Sequence, residues 1–484
     1  MLFNSYEFIF AFLPVVIIVF RLCQRTANKD LTSTWLILCS LFFYGWWNPS
    51  YLPLILLSIL VNFSLANKIH TLNRSNKPNS SKLVLITSIC LNLLLLGYFK
   101  YANFFIENIN LSISREHTTL NIVLPLAISF FTFQQITYLV DTHKKNVNPH
   151  TIIDYMLFVT FFPQLIAGPI VHHKEMMPQF SNPHFLIPNT SNISKGLSIF
   201  GLGLFKKVVI ADYFALLANP IFEQSAMNII PDSVSAWMGA IAYTLQLYFD
   251  FSGYSDMAIG LALIFGITLP YNFNSPYKSK NIIEFWRRWH MTLSRFLKDY
   301  IYIPLGGNKK GKNRRLLNLF ITMFLGGLWH GAGWTFILWG LLHGLFLAIN
   351  HSWVVISKTI RFPSIYIASS LGRLLTFICI VIAWVVFRAE NIESAINIIT
   401  PMLTLNYDDA TLDFKTINTL CAGLLIVWFA PNSNELFSTH GKPFFSKLNY
   451  KWCATLAEAL LTSTLIFIAV IYLARAQEFL YFQF

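Results

Sequence analysis

The chain has 484 residues, of which 55% are hydrophobic and only 12% are charged, about half the charged share of a soluble domain. No soluble core hides that much apolar surface, so the composition excludes a sizeable soluble domain and predicts an integral membrane protein. The net charge of +13 comes from basic residues in short loops between apolar segments. Such residues orient membrane proteins, so the charge does not indicate nucleic-acid binding.

Apolar segments recur along the whole sequence, and a spanning helix needs about 20 mainly apolar residues. Several segments are short or paired, and we interpret these as re-entrant or broken helices, which leaves roughly ten to thirteen spans. The predicted fold is an all-α polytopic membrane protein with one membrane-embedded domain over residues 1–484. The candidate spans are 6–22, 34–48, 51–67, 83–106, 120–140, 152–171, 196–220, 234–250, 253–269, 316–330, 333–350, 370–388, 416–430 and 455–474.

The charge of the loops predicts how the chain is oriented in the membrane. Basic loops follow the first, third and fifth candidate spans, whereas the turn at 47–50 carries no charge; this places the N-terminus outside and the basic loops in the cytoplasm. The first apolar stretch, 8–20, has no basic region before it and no cleavage site after it, so we interpret it as an uncleaved span. The six cysteines form no CxxC and no HExxH is present, so we expect neither a disulfide framework nor a metal site.

Two carboxylates, Asp250 and Asp256, interrupt the apolar stretch that contains the candidate spans 234–250 and 253–269. Charged side chains in such a stretch do not face lipid. Two interpretations stay open: the carboxylates orient a His or an Arg, or they cap a break in the helix. A structural role has at least as much support as a catalytic one.

The segment 271–315 is rich in charged and aromatic residues and is too polar to cross lipid alone. From 282 to 298, apolar and basic residues alternate at helical spacing, which predicts a helix at the membrane surface or in a protein-lined cavity. His290 follows an aromatic-basic run that is typical of an interfacial anchor. Four basic residues either bind the phosphates of a cofactor or form a solvated or headgroup-facing cluster. They are Arg287, Arg288, Arg295 and Lys298.

The sharpest motif is GGLWHGAGW at 326–334, which places His330 between two apolar runs. Its four glycines indicate a helix break or a backbone packed closely against another element. An ionisable residue at membrane depth costs free energy, so His330 is a functional candidate by default. The alternative is a His that donates a hydrogen bond to a neighbouring helix. We expect His343 and His351 to be helix-packing or interfacial residues.

Three sequence blocks together resemble the membrane-bound O-acyltransferase family. They are YFDFSGYSDMAIG at 248–260, FWRRWHMTLSRFLKDYIYIPLGG at 285–307 and GGLWHGAGW at 326–334. The sequence is most similar to the bacterial branch of the family, which includes the alginate and peptidoglycan O-acetylation membrane proteins and the teichoic acid D-alanyl transfer protein. The similarity covers nearly the whole chain, and neither His motif departs from the family pattern.

The resemblance implies that His330 is the family's near-invariant catalytic His and that His290 is its second His. Trp286 and Trp329, within the same motifs, are expected to support them. The implied fold is a ring of about 11 transmembrane helices, with re-entrant or interfacial helices, around a thinned centre. There a tunnel from the cytoplasm meets a funnel from outside near the His, and the segment 271–315 lies at the cytoplasmic side.

The implied chemistry is transfer of an acetyl group from acetyl-CoA, as donor substrate, to a surface or periplasmic polysaccharide. His330 acts as general base toward a hydroxyl, and the glycine-rich backbone or His290 donates to the oxyanion. The C-terminal aromatic motif at 479–484 offers Tyr481 as an acyl carrier, and the other interpretation is an aromatic belt at the end of the last span. A separate SGNH-hydrolase-type partner is expected, together with a bacterial inner-membrane location.

Two other function classes stay open at this point. A transporter of lipid-linked sugars or acyl carriers also has polar residues at membrane depth and broken helices, although no inverted halves are visible. A membrane scaffold for a periplasmic enzyme would not need His330. No motif names the acceptor, so alginate-like exopolysaccharide, lipopolysaccharide and peptidoglycan are all compatible with the sequence, and acetyl is favoured over D-alanyl by overall resemblance.

Overall fold

A computed structural model gives the fold of the chain. It describes residues 1–113, 119–120, 122–145, 147, 149–356, 365–404, 413–437, 455–476 and 479–480. All regular elements in these ranges are helices, as the all-α prediction requires. Chain contacts divide the molecule into two compact units, and each unit is described separately below.

Among the described residues, six helical stretches are long and apolar enough to cross a membrane. The other helices are shorter or more polar, so a count of about 11 spans stays a prediction. The six stretches are Glu7–Arg25, Pro49–Arg74, Pro78–Ile113, Trp334–Val354, Ser369–Arg388 and Leu456–Arg475.

The first unit comprises Met1–Gly201, Tyr254–Pro270 and Ala454–Thr464. Two of its helices begin after a residue whose side chain caps the helix N-terminus. The side chains of Asn28 and Thr151 each accept the backbone N–H of the third residue after them, a bond that satisfies a free donor of the first turn. The helices that lie wholly in this unit are α1 (Leu13–Arg25), α2 (Lys29–Gly45), α3 (Leu52–Arg74), α4 (Pro78–Leu96), α5 (Ala102–Ile113), α6 (Ile128–His143), α7 (Ile152–Thr160), α8 (Phe162–Leu165) and α9 (His173–Phe180).

Phenylalanine rings and a cluster of amides fill the interior of the first unit. Phe8 and Phe43 lie 5.8 Å apart between ring centroids, and both contact Phe162. We define the amide cluster as Ser58, Asn62, Asn92, Gln135 and Tyr155, which join α3, α4, α6 and α7 through hydrogen bonds of 2.7–3.3 Å. Hydrogen bonds of this kind hold helices together in an apolar environment.

The second unit comprises Leu202–Gly253, Tyr271–Cys453 and Leu465–Phe484. Three helices run through the division between the units: α10 (Thr190–Phe205), α12 (Ser233–Ile264) and α21 (Leu456–Tyr472). The helices that lie wholly in the second unit are α11 (Asp212–Ala226), α13 (Ile282–Trp286), α14 (Met291–Leu297), α15 (Lys312–His330), α16 (Trp334–Ile356), α17 (Ile365–Arg388), α18 (Ile392–Thr404), α19 (Phe414–Phe429) and α20 (Ser433–Phe437).

The prediction of two separate spans at 234–250 and 253–269 is wrong. One continuous helix of 32 residues, α12, covers both, and neither Asp250 nor Asp256 caps a break. The Asp250 carboxylate pairs with the Lys207 ammonium at 2.8 Å, so its charge is neutralised inside the helical region. A paired charge does not force a helix to end.

The predicted helix over 282–298 is also wrong. α13 ends at Trp286 and α14 begins at Met291, with a left-handed backbone at His290, where φ is +41°. Backbone groups within the break bond to the preceding segment. The carbonyl of Arg288 accepts the Asn274 N–H at 2.9 Å, and the Met291 N–H donates to Asn272 at 2.9 Å. These bonds satisfy polar backbone groups that a helix would otherwise satisfy.

The candidate span at 152–171 is a broken helix. α7 covers nine residues, a length of about 14 Å that is too short to cross a bilayer. The break precedes Pro163, whose ring supplies no backbone N–H. The Phe162 N–H instead donates to the Ser40 hydroxyl at 3.0 Å.

Candidate active site

The glycine-rich motif forms the corner between α15 and α16. α15 ends at His330 and α16 begins at Trp334, so the predicted helix break is confirmed. The two helices also approach closely, because a Cβ added at Gly340 would lie 2.5 Å from the Met323 carbonyl oxygen and 3.2 Å from the Gly327 Cα. The glycines therefore provide both the helix break and the close approach of two backbones. Together they place His330 at the end of a tightly packed helix pair.

His330 is buried, with 6% of its surface exposed. Its ring contacts three aromatic rings, with centroid separations of 4.9 Å to Trp329, 5.0 Å to Trp339 and 5.2 Å to Phe387. All three contacts are near-perpendicular, with interplanar angles of 69–86°. Such edge-to-face contacts fix the plane of the imidazole.

His290 is fully buried and comes from the other predicted motif. Its Nδ1 lies 3.0 Å from the Asn272 Oδ1, which also accepts the Thr292 hydroxyl at 2.9 Å. Because this oxygen only accepts, Nδ1 carries the proton and Nε2 presents a lone pair. Burial lowers the pKa of His290 to about 3, so the ring is neutral at physiological pH. Nε2 has no hydrogen-bond partner in the part of the chain that the structure describes.

Trp329 contacts both motif histidines. Its ring centroid lies 6.1 Å from that of His290 and 4.9 Å from that of His330. The structure therefore brings His290, His330 and Trp329 together in one aromatic cluster of the second unit, as expected for residues of one site.

His343 belongs to the same aromatic cluster. The sequence predicted only a helix-packing or interfacial residue at this position. Its Nδ1 accepts the Trp286 indole N–H at 3.2 Å, and its ring lies 4.8 Å from that of Trp339. It is fully buried, and within the described ranges its Nε2 has no hydrogen-bond partner. The available signal is its spacing, because His343 lies four residues after Trp339 and therefore one turn along α16.

The four predicted phosphate-binding residues are not equivalent. Arg287 and Lys298 are exposed and Arg295 is half-buried. Arg288 pairs with Glu284 at 2.8 Å and donates to the Asn274 carbonyl at 3.2 Å, so part of its bonding capacity holds the local fold.

A basic cavity of about 340 Å³ lies between the start of α15 and the end of α16. Lys312, Arg315 and His351 contribute to its lining. No group of three or more His, Cys, Asp or Glu side chains among the described residues is arranged to hold a metal.

The two predicted carboxylates belong to different units. Asp250 lies in the second unit and pairs with Lys207. Asp256 lies in the first unit, where it is buried within α12. The sequence signal for Lys207 is slight, since Lys206 and Lys207 merely interrupt an apolar run. The predicted acyl carrier, Tyr481, lies outside the described residues.

Comparisons with known proteins show which family and which relatives the chain is similar to. The profile of the MBOAT, membrane-bound O-acyltransferase family matches residues 142–388, half of the chain. A peptidoglycan O-acetyltransferase of Helicobacter pylori is 49% identical over 433 residues, which is 84% of this chain and 80% of that protein. A probable alginate O-acetylase AlgI of Pseudomonas putida is 38% identical over the full length of both. A teichoic acid D-alanyltransferase of Streptococcus thermophilus is 29% identical over 54% of this chain and 68% of that protein.

The matched family region contains both motif histidines, Trp286 and Trp329, and the aromatic cluster that they form. The resemblance seen in the sequence is thus confirmed by two kinds of similarity, over half of the chain for the family profile and over most or all of it for the relatives. This multi-pass membrane protein belongs to the membrane-bound O-acyltransferase family and is an acyltransferase.

Proposed function

We propose that this protein is an O-acetyltransferase that takes an acetyl group from cytoplasmic acetyl-CoA and delivers it through the membrane to a periplasmic or surface polysaccharide. The observation that carries the proposal is the burial of His330 in an aromatic cluster that also holds His290. Acetyl is favoured over D-alanyl because the relative named for D-alanyl transfer is 29% identical, against 49% for a relative named for acetyl transfer.

Peptidoglycan is the acceptor that the similarities favour. The relative named for peptidoglycan is 49% identical, whereas one named for alginate is 38% identical. Either acceptor lies outside the cytoplasm, while acetyl-CoA is made inside it. A reaction centre within the membrane joins the two compartments.

His330 is the general base of the proposed reaction. Its imidazole removes the proton from an attacking hydroxyl, whose oxygen bonds to the thioester carbonyl carbon and forms a tetrahedral oxyanion. When the oxyanion collapses, the C–S bond breaks, and the leaving thiolate accepts the proton from the imidazolium. The surrounding rings exclude water and so protect the thioester from hydrolysis.

His290 fits an accepting role better than a donating one. Its Nδ1–H is used by Asn272, so the neutral ring offers the Nε2 lone pair to a hydroxyl. It can therefore orient the acceptor hydroxyl for attack. The oxyanion then needs other donors, and two groups are suitable: the backbone N–H groups of the glycine-rich corner, and the Nε2–H of His343, since its Nδ1 accepts a bond from Trp286. Trp286 and Trp329 support the histidines through these contacts.

Acetyl-CoA, the donor substrate, carries phosphates that need cations. We assign Arg287, Arg295 and Lys298 to that task on the cytoplasmic side. Arg288 contributes less, because Glu284 already pairs with it. The cavity lined by Lys312 and Arg315 belongs to the same basic segment of sequence, and we assign it as a second candidate for the phosphates.

The remaining parts of the proposal concern architecture and partners. The chain forms one acyltransferase domain in the bacterial inner membrane, with a ring of about 11 transmembrane helices around a tunnel that ends at His330. The acetyl group passes from Tyr481, or directly from the donor, to a periplasmic SGNH-type partner and then to the glycan. Asp250 and Asp256 are supporting residues.

Purified protein with acetyl-labelled acetyl-CoA tests the proposal. We expect thioester cleavage and labelled protein or glycan, and His330→Ala should lower the rate by about 10²–10⁴-fold at equal protein level. His70→Ala, on α3 in the first unit, is the matched control and should retain activity. A transporter would cleave no thioester, and a scaffold would tolerate His330→Ala; either result overturns the assignment.

Chemical analysis of glycans from a deletion strain then identifies the acceptor.

A further inference from the structure

A buried ion cluster lies in the second unit, formed by Lys207, Asp212 and Asp250. The Lys207 Nζ is 2.6 Å from the Asp212 Oδ1 and 2.8 Å from the Asp250 Oδ1. The side chains of Lys207 and Asp250 are each 2% exposed. Charges buried this deeply are costly unless they are paired, and membrane proteins retain them mainly where they have a task. No proton transfer or bond change of the proposed reaction takes place at these three groups, and the contacts below define the supporting role of Asp250.

Local backbone geometry sets the approach of Lys207 to Asp250. Lys207 lies in the π-helical turn Lys206–Ala211 between α10 and α11, and π-helical turns are frequent at functional sites. α12 comes very close at Gly253, where an added Cβ would lie 2.8 Å from the Gly203 carbonyl oxygen and 3.0 Å from the Lys207 backbone nitrogen. Asp250 precedes Gly253 by three residues, so both lie on the same face of α12.

The second oxygen of the Asp250 carboxylate binds the chain near its C-terminal motif. The Leu480 backbone N–H donates to the Asp250 Oδ2 at 3.3 Å, while Oδ1 faces Lys207. Phe479 and Leu480 are 1% and 4% exposed. One carboxylate thus joins an ammonium on one side to a backbone amide on the other.

The docked segment lies next to the active-site cluster. The Phe479 ring is 6.2 Å from that of Phe251, and Phe251 in turn packs edge-on against His290 at 4.8 Å. A single side chain therefore separates Phe479 from a motif histidine. Asp250 and Phe251 are neighbours on α12, so the polar and the apolar contacts of the segment come from the same turn of helix.

We propose that Asp250, paired with the Lys207 ammonium that also contacts Asp212, is a positioning residue that docks the segment of Phe479 and Leu480 beside His290. We call Lys207, Asp212 and Asp250 the terminal latch. A carboxylate accepts an N–H more strongly than a neutral acceptor does, and Lys207 keeps its other oxygen occupied. The docking stands on these contacts alone. Its consequence for catalysis rests on the proposed function, in which Tyr481 follows the docked Leu480 and receives the acyl group.

Thiol protection measures the docking without any assay of activity. Leu480→Cys is introduced after every native cysteine except the buried Cys39 is replaced, and the purified protein is treated with a maleimide. The docked thiol should react slowly. Asp250→Leu, which removes the acceptor and leaves the Lys207–Asp212 pair, should raise its rate by at least about tenfold, because the lost bond is charge-assisted.

Two controls separate undocking from unfolding. Ser252→Ala alters a buried polar residue on the same helix and should leave the Leu480→Cys thiol protected. Slow labelling of Cys39 and an unchanged elution profile show that the protein is still folded. If the Leu480→Cys thiol stays protected in folded Asp250→Leu protein, or is already fully reactive with Asp250 intact, the latch does not exist.

The backbone bond can be removed on its own. Leu480→Pro lacks the N–H that Asp250 accepts, whereas Leu480→Ala keeps it and is the matched control. Acetyl transfer should fall at least about tenfold in Leu480→Pro and Asp250→Leu and much less in Leu480→Ala. The two losses should not add in the double variant, since both act through one contact; additive losses would overturn the common contact.

Failure of the latch and failure of the proposed role of Tyr481 give different results. If the latch is wrong, His330→Ala still abolishes acetyl transfer, but Asp250→Leu leaves the thiol protected. If the role of Tyr481 is wrong, Asp250→Leu exposes the thiol while acetyl transfer is unchanged. In that case the docking stands and the terminal segment is not the acyl carrier.

Discussion

The amide cluster of the first unit and the histidine cluster of the second unit bury polar groups in two different ways. In the amide cluster, Asn62 and Asn92 exchange hydrogen bonds of 3.2 and 2.7 Å, and Gln135 bonds both Ser58 and Tyr155. In the histidine cluster, Nε2 of both His290 and His343 lacks a hydrogen-bond partner among the described residues. A closed set of bonds stabilises a fold, whereas a buried atom with free bonding capacity is available to a reacting group.

Replacing His290 tests whether the Nε2 atom without a hydrogen-bond partner takes part in the reaction, and it should lower activity more than replacing Asn62 or Trp286. His290→Phe keeps a planar ring and removes the Nε2 lone pair that orients the acceptor hydroxyl, so acetyl transfer should fall by about 10²-fold. The Tm should change little, because the Asn272 oxygen still accepts two bonds from Thr292. Activity and thermal melting of the purified protein measure both. A large loss of Tm with normal activity per folded molecule would make His290 a structural residue.

Replacing Asn62 tests whether the hydrogen-bonded amide cluster stabilises the fold without taking part in the reaction. Asn62→Ala leaves the Asn92 amide without its reciprocal partner, which should cost about 1–3 kcal/mol of stability, seen as a lower Tm. Activity per folded molecule should be unchanged, because the amide cluster belongs to the other unit and bonds within itself. The double variant Asn62→Leu/Asn92→Leu should recover part of the stability, since it leaves no orphaned amide. A catalytic defect at normal Tm would remove the contrast between the clusters.

Replacing Trp286 tests whether its hydrogen bond to His343 contributes to the reaction, and its effect should be smaller than that of replacing His290. Trp286→Phe removes the N–H that His343 accepts, so the protonated nitrogen of His343 is no longer selected. We expect a two- to tenfold loss of acetyl transfer, corresponding to about 0.5–1.5 kcal/mol for one hydrogen bond. Trp353→Phe, an exposed ring near the end of α16, is the control and should have no effect. Equal losses in both variants would argue against a role for the Trp286–His343 bond.

Part of the site could be predicted because it is local in sequence. The GGLWHGAGW motif indicates a helix break and a buried His, and α15 does end at His330. The WRRWH run identifies His290 as a candidate. Its local pattern nevertheless predicts a helix, because the bonds that break the helix come from Asn272 and Asn274, up to 19 residues away. Local periodicity carries no information about such bonds.

Other residues could be assigned only from contacts between distant segments. Asp250 suggested a helix break, yet Lys207, 43 residues earlier in the sequence, neutralises it and α12 continues. His343 resembled a packing residue until Trp286, 57 residues earlier, was found to bond it. A pairing of this kind depends on where helices lie in space, and a single sequence does not contain that information.

The membrane class, the family and the two motif histidines follow from the sequence, because hydrophobic content and contiguous motifs are properties of neighbouring residues. Three further features become known only when the helices are packed: which nitrogen of His290 carries the proton, the place of His343 in the cluster and the partner of Asp250. Each of these depends on a hydrogen bond or ion pair between segments that are far apart in the chain. Such bonds form only when the helices are packed, because packing fixes the distances between the groups and removes the water that would otherwise bind them.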